Sequence, residues 1–356
     1  MKIKTKEFIS LLSKAIKGVS NNKLIPITSM MSIFAHDNVV ELHTTDGSNH
    51  LWVGGLCEDT SGFEVAVPAT KFATLISRMT CEYVELIIKG DNLEVKGNGR
   101  YIIELPIDES GEPVKFPNPA EKFNTLTTAK TINTSDIVAV KNALSPALAT
   151  TLEVPCYCNY YFGDKVIATD TYKIAAMNKQ LFEPVLLSPE LVNLLALTDC
   201  ETLEYNIIGN EIYFNADDIS VYGHLADGLE DYAIDAITNL INDDFPYECK
   251  VDKDKLLSSL DRTALFVDVY DKNAVKIVFG NLGLTIESRK AHSEEHIVYE
   301  RVAEIDCEFS CSIDVDMFIS QLKAYTEDVV TIQFGKETSI KLVSKDTTQI
   351  ISLLDV

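Results

Sequence analysis

The order helix, hairpin, helix, hairpin passes along this chain three times at nearly constant spacing, and that repetition restricts the fold more than any single motif does. The clearest first hairpin joins Tyr160-Tyr-Phe162 through a Gly163-Asp164 turn to Val166-Ile-Ala-Thr-Asp170: apolar run, turn signal, apolar run. An earlier copy reads Met31 to Phe34, a turn at Asp37-Asn38, then Val39 to Asp46, and ends in the same Thr-Asp pair 124 positions upstream. A later one joins Val275 to Phe279 through Gly280-Asn281 to Leu284-Thr-Ile-Glu-Ser288, without the Thr-Asp. The second hairpin recurs too, turning at Gly90, Gly209 and Gly335, displaced by 119 and then 126 residues.

Helices separate the hairpins. Phe8, Ile9, Leu11, Leu12, Ala15, Ile16 and Val19 recur at helical spacing, with Lys6, Ser10, Lys14 and Lys17 opposite, so Thr5 to Val19 is expected to be an amphipathic helix with a basic outer face. Pro68 opens a second helix, with Thr70 available near its cap, that buries Phe72, Leu75, Ile76 and Met79 and turns out Lys71 and Arg78. The pair returns as Ser135 to Leu144, carrying Lys141, and a helix beginning at Ser188-Pro189. The third pass has a helix from Asp252, with Lys253, Lys255 and Arg262, and another over Asp314 to Tyr325. Asp108 to Asn124, rich in Pro, Gly and Glu, reads as a linker. The fold class is therefore α+β: three tandem homologous domains, 1–126, 127–248 and 249–356, each with two helices packed on antiparallel sheets.

Composition narrows the function. No apolar run approaches the roughly 20 residues that span a bilayer, and Met-Lys-Ile-Lys-Thr-Lys leads into an amphipathic pattern rather than a signal-peptide block, so a cytoplasmic protein is expected. Eight scattered cysteines, with only Cys156/Cys158 and Cys307/Cys311 close together, match neither a zinc ribbon nor a redox pair, and buried reduced thiols are expected. With 31 basic against 54 acidic residues the formal charge is −23, so the whole surface cannot hold nucleic acid by neutralising phosphates. Either the protein avoids DNA or its basic residues gather on one face. If the repeats lie side by side, the outer faces of their first helices share one side, and a chain that encloses DNA needs little adhesion.

At residue level the chain resembles the bacterial DNA polymerase III beta subunit, the replicative sliding clamp. The marks are Leu24-Ile-Pro26-Ile27, Thr45-Asp46, Asn98-Gly-Arg100, Phe116-Pro-Asn118, Ala168-Thr-Asp-Thr-Tyr-Lys-Ile-Ala175 and Phe245-Pro246, in order along three tandem domains. The resemblance implies a head-to-tail homodimer of six domains in a ring, helices toward duplex DNA and sheets outside. It makes Lys6, Lys14, Lys17, Lys23, Lys71, Arg78, Lys141, Lys253, Lys255 and Arg262 the expected DNA-facing set. The subunit seam would join the first domain of one chain to the third of the other through a strand edge of each, with Lys71 to Met79 and Asp268 to Lys276 as the expected regions.

The same resemblance implies a groove for short linear motifs of the polymerase and clamp loader between the second and third domains. Carried over by position, its rim is Thr169, Thr171, Tyr172 and Lys173, and its apolar lining is Tyr157, Ile174, Pro246, Val251 and Met317. The C-terminal wall falls on Ile350, Ile351, Ser352, Leu353 and Leu354. Tyr172, Lys173, Leu353 and Asp355 depart from the family's His, Arg, Pro and Arg, which points to an altered peptide preference. No cofactor and no catalytic residue is expected.

Two other readings stay open. His292-Ser-Glu-Glu-His296 satisfies an H-x-x-E-H pattern, whose histidines hold zinc when they share a helix face, although strand-like segments flank it here. The ring could also serve as a DNA-tracking platform for a task other than replication. No P-loop, nucleophile elbow or dinucleotide fingerprint is present.

Overall fold

The computed structural model describes residues 1–355 except 21, 23, 59–61, 109–110, 127–128, 152, 282, 289–292 and 302–307. Its first repeat runs β1 (Lys2–Lys4), α1 (Thr5–Ala15), β2 (Met30–His36), β3 (Val39–Thr45), β4 (His50–Leu56), β5 (Phe63–Pro68), α2 (Ala69–Ser77), β6 (Tyr83–Lys89), β7 (Asn92–Lys96) and β8 (Arg100–Glu104). The second runs β9 (Lys130–Asn133), α3 (Thr134–Leu144), β10 (Tyr160–Phe162), β11 (Val166–Thr169), β12 (Lys173–Met177), β13 (Val185–Leu187), α4 (Pro189–Leu195), β14 (Thr202–Ile208), β15 (Glu211–Asn215) and β16 (Ile219–His224). After α5 (Ile234–Asn242) comes the third: β17 (Tyr247–Asp252), α6 (Lys253–Thr263), β18 (Ala274–Phe279), β19 (Leu284–Ser288), β20 (Glu294–Ile297), β21 (Glu300–Arg301), β22 (Phe309–Asp314), α7 (Val315–Ala324), β23 (Val329–Phe334), β24 (Ser339–Val343) and β25 (Thr347–Ser352).

Each repeat makes two antiparallel half-sheets, and the strand order is the same every time. One half-sheet is β5-β2-β3-β4, β13-β10-β11-β12 and β22-β18-β19-β20; the other is β1-β6-β7-β8, β9-β14-β15-β16 and β17-β23-β24-β25. Two of the possible junctions are closed within the chain. β4 pairs with β16 to give an eight-stranded sheet, and β12 pairs with β25 to give a nine-stranded one that also takes in β21 beside β17. By contact the chain accordingly separates into Met1–Val138 with Glu190–Leu225, and Ala139–Pro189 with Ala226–Val356. These contact units cut across the repeats, because each long sheet fuses halves of successive repeats.

Local chemistry explains where elements begin and end. Phe8, Leu12 and Ala15 are fully buried along one face of α1, and the Phe8 and Phe72 rings meet edge to face at 5.8 Å where α1 packs on α2. The helix is shorter than expected, because the Thr44 hydroxyl donates to the Ala15 carbonyl (2.9 Å) and the chain tightens into a 3₁₀ turn over Ile16–Gly18. A Cβ at Gly18 would stand 2.4 Å from Thr44 Oγ1, so only glycine permits that approach. α2 starts at Pro68 without a side-chain cap, whereas Asp252 caps α6 and Asp314 caps α7 through backbone N–H groups. Asp37 and Asn38 take φ of +47° and +63° in the β2–β3 turn, the left-handed pair that matches strand twist. No described helix is long and apolar enough to cross a membrane.

At the β4–β16 junction the linker from the first repeat crosses the sheet. Ala120 and Phe123, in a 3₁₀ stretch over Pro119–Thr125, pack on Trp52 and Tyr222, and Phe116 packs on His43. His43 and His50 are nearly buried there, with His43 Nε2 3.0 Å from His50 Nδ1 and the His43 ring stacked on Trp52. Burial, then the neighbouring imidazole, pushes His43 down to about 3; burial pushes His50 down to about 4 although Asp46 opposes it. Both are neutral in the fold and charge freely once unfolded. Their contribution is therefore intact above pH 6.5 and lost as pH falls below it, about 2 kcal/mol for each by pH 5. Denaturant unfolding at pH 7.5 and pH 5 should show this loss, and a His43→Leu/His50→Leu protein should show a much flatter dependence.

Candidate functional site

The groove expected from the resemblance is built around the β11–β12 loop, and the Thr-Asp pair makes that loop. Thr169 Oγ1 donates to the Lys173 carbonyl (2.7 Å) and accepts from Thr171 N–H (3.1 Å), while Asp170 Oδ1 accepts from Tyr172 N–H (2.9 Å) and Lys173 N–H (2.7 Å). The β3–β4 loop repeats this set: Thr45 Oγ1 donates to Asn49 O and accepts from Gly47 N–H, and Asp46 Oδ1 accepts from Ser48 and Asn49 N–H. Two expected rim groups are thereby spent inside the protein. Thr169 is buried, and Lys173 Nζ donates to the Pro146 carbonyl and pairs with Asp170 at 3.2 Å. Tyr172, 61% exposed, and Thr171 remain open to a ligand.

Register across β12 and β25 sets Ile174 against Ile350 and Lys173 against Ile351. Ile174 and Ile350 join one apolar cluster with Tyr161, Ile167, Tyr232, Ile237 and Ile241, and Tyr157 packs on it with its ring edge-on to Tyr232 at 5.0 Å. The last three cluster members lie on or just before α5, which the sequence reading overlooked. The i, i+3, i+7 spacing of Ile234, Ile237 and Ile241 was the available signal, obscured by the adjacent Phe245-Pro246 mark. Val251 is buried rather than open to a ligand: β17 alternates from Tyr247, so Cys249 and Val251 face the core of the third repeat, and Val251 pairs with Val330. Ile351 likewise belongs to that core. Pro246 is exposed and lies against Gly335.

The C-terminal wall is held by backbone bonds. Ser352 N–H donates to Tyr172 O, Leu353 N–H to Thr338 O and Leu354 N–H to Ser312 O, each at 2.9 Å. Leu353 and Leu354 border an open cavity of about 350 Å³ with Phe309, Ser310, Cys311 and Ser312. Met317, half-buried in the first turn of α7, packs with Leu353 on the core of the third repeat, a different cluster from the one that holds Ile174 and Ile350.

The expected DNA-facing residues are less basic in effect than in count. Lys6, Lys17, Lys71, Arg78 and Lys255 are exposed, and Lys141 is half-buried. Lys14 is not available to a phosphate: its ammonium lies 2.6 Å from Asp199 and 2.7 Å from Asp218. Burial alone would push the Asp218 carboxyl up, but Lys14, Thr198 and the Asp199 N–H bring it down to about 2. Arg262 forks onto Glu295 at 2.6 and 2.9 Å, and Lys253 Nζ donates to Tyr325 O at 3.0 Å. Lys23 lies outside the described residues. Acidic side chains in or beside the same helices, Glu7, Asp136, Asp254 and Asp261, offset much of what is left.

The described half of the H-x-x-E-H pattern does not have the helical setting that its zinc form needs. His296 sits on β20, not on a helix, with Nδ1 2.9 Å from Thr285 Oγ1 and Nε2 2.8 Å from Glu294; His292 lies outside the described residues. Among the described residues no group of three or more His, Cys, Asp or Glu is placed to hold a metal. The seven described cysteines are all free thiols.

Comparison with known proteins agrees with this architecture. Residues 1–115 match the family model for the N-terminal domain of the DNA polymerase III beta subunit. No curated protein sequence matches the chain. The whole chain superposes on the sliding clamp of Pseudomonas aeruginosa (TM-score 0.83, 16% identity) and the DNA polymerase III beta chain of Streptococcus pneumoniae (0.83, 18%), covering 100% of this chain and 99% of each. Coverage is the same for the beta subunit of Borrelia burgdorferi solved with a natural product (0.85, 15%).

Thr171 has φ of +78° where the equivalent Gly47 has +103°, a conformation that strains a β-branched residue. Thr171→Gly should raise stability by about 1 kcal/mol and Gly47→Thr should lower it, both measured by denaturant unfolding.

Proposed function

From a chain whose first 115 residues match the DNA polymerase III beta subunit family and whose whole length has the sliding-clamp fold, we propose a non-enzymatic DNA polymerase processivity factor of three clamp domains. Two copies close head to tail into a ring around duplex DNA. The polymerase and its clamp loader attach by short linear motifs at the groove beside Tyr157, Tyr172, Met317 and the C-terminal wall. The cytoplasm is the compartment for that work.

The observation that carries this reading is that, of the six strand edges of the kind that pair at the junctions between repeats, two are left over. In each repeat one half-sheet ends on β4, β12 or β20 and the other on β8, β16 or β25; among the described residues β4 takes β16 and β12 takes β25, leaving β8 and β20. A free edge is a liability unless another chain pairs with it, and β20 of a second copy is the complement that the repeat prescribes for β8. Side chains support this. Ile102 on β8 stands opposite Glu94 as Tyr222 stands opposite Tyr213 and Ile350 opposite Lys341. Tyr222 and Ile350 are buried, whereas Ile102 is 61% exposed. Leu265, Phe266, Val269 and Tyr270 expose a second apolar patch in the third repeat, the last two within the expected seam region.

Enclosure also fits the electrostatics. With Lys14 and Arg262 held by carboxylates and a net charge of −23, adhesion to phosphates is limited, which favours retention by topology.

Negative-stain images should average to closed rings with a central hole. Ile102→Asp should weaken the dimer by about 100-fold or more in sedimentation velocity, and unchanged dimers would refute the seam. Lys6→Glu with Lys17→Glu should shorten the residence of loaded protein on circular DNA. Lys14→Glu should act mainly by lowering the unfolding midpoint.

A further inference from the structure

Ile174 and Ile350, at the centre of the groove, are 6% and 4% exposed, and α5 is what covers them. The helix docks as a ligand would. Ile234, Ile237 and Ile241 turn toward the sheet while Asp235, Asn239 and Asn242 stay in solvent. Lysines from three places grip its C-terminal end. Lys341 Nζ donates to the carbonyls of Ile241 (3.0 Å) and Asp243 (2.6 Å), Lys165 Nζ reaches Asn242 Oδ1 at 3.4 Å, and Lys336 pairs with the Asp243 carboxylate. Lys341, on β24, is 7% exposed and stands directly opposite Ile350 of β25. A cation in an apolar sheet face is costly unless a negative group lies over it, and the carbonyl end of α5 with Asp243 supplies one.

We propose that α5 is a tethered occupant of the partner groove, and that the external ligand is an acidic, apolar peptide that displaces it. Such a peptide carries two or three aliphatic or aromatic anchors about a helical turn apart, followed by a carboxylate that takes over Lys341 and Lys336. The apolar anchors supply affinity and the lysines fix register and direction. The identity of the ligand as a polymerase or loader segment rests on the clamp reading; the occupancy does not. Because α5 is tethered at both ends it competes at an effective concentration of the order of millimolar, so a partner must bind tightly or engage a second contact.

The test uses full-length protein without DNA and a fluorescein-labelled synthetic peptide of the sequence Tyr232–Asp244, followed by anisotropy. Ile237→Asp with Ile241→Asp removes the anchors of the strap. Asp243→Asn, at an exposed position, loosens it while leaving every lysine for the peptide. The wild type should bind weakest, Asp243→Asn several-fold tighter and the double variant at least about tenfold tighter. Adding Lys341→Met to the double variant should cancel the gain. Equal binding by wild type and Asp243→Asn, with unchanged thermal unfolding, overturns the proposal even if the double variant does not fold. Peptide displacement without rings would sink the clamp reading and leave the strap; rings without displacement would do the reverse.

Discussion

Edge pairing of β-strands is the interaction on which the rest of this structure depends. A half-sheet of four strands ends in a row of unpaired N–H and C=O groups that must find a partner. The chain solves this twice by itself, at β4–β16 and β12–β25, and each solution fuses half of one repeat to half of the next. The two compact units, the covered outer faces and the site between Ile174 and Ile350 all follow from those junctions.

Both junctions are crossed by the linker that joins the repeats, and the two linkers use opposite chemistry to hold on. In the first, Phe116, Ala120 and Phe123 lie over an aromatic face with two neutral histidines, and the linker's Lys122 reaches Glu211 on the sheet. In the second, α5 lays isoleucines over an aliphatic face, and Lys341 on the sheet reaches carbonyls of the helix. Tyr213 and Lys341 stand at matching places, opposite Tyr222 and Ile350. A buried cation grips a helix end directionally, whereas aromatic packing is less particular about register.

Electrostatics follow from the same economy. A net charge of −23 would oppose a surface that holds DNA by adhesion, and α1 gives up Lys14 to tie its own unit together through Asp199 and Asp218. A protein that relies on enclosure tolerates that loss, because retention no longer scales with the number of phosphates neutralised.

The sequence by itself determined the element order, the fold class and the chemistry of the turns. Those depend on local periodicity, on residues such as Asp37-Asn38, and on the Thr-Asp pair whose side chains satisfy a loop's own backbone. The groove positions were proposed through a resemblance that matched positions rather than surfaces. Tertiary structure alone decided what those positions face. Val251 and Ile351 turned inward because strand alternation fixes a face only once the start of the strand is known. Thr169, Lys173, Lys14 and Arg262 lost their free polar ends to partners up to 204 positions away. The α5 strap escaped notice because an amphipathic helix of nine residues means little until the apolar face it covers has been assembled from distant strands. Local grammar is written in neighbouring residues, but the availability of a side chain is a property of whatever the folded chain brings beside it.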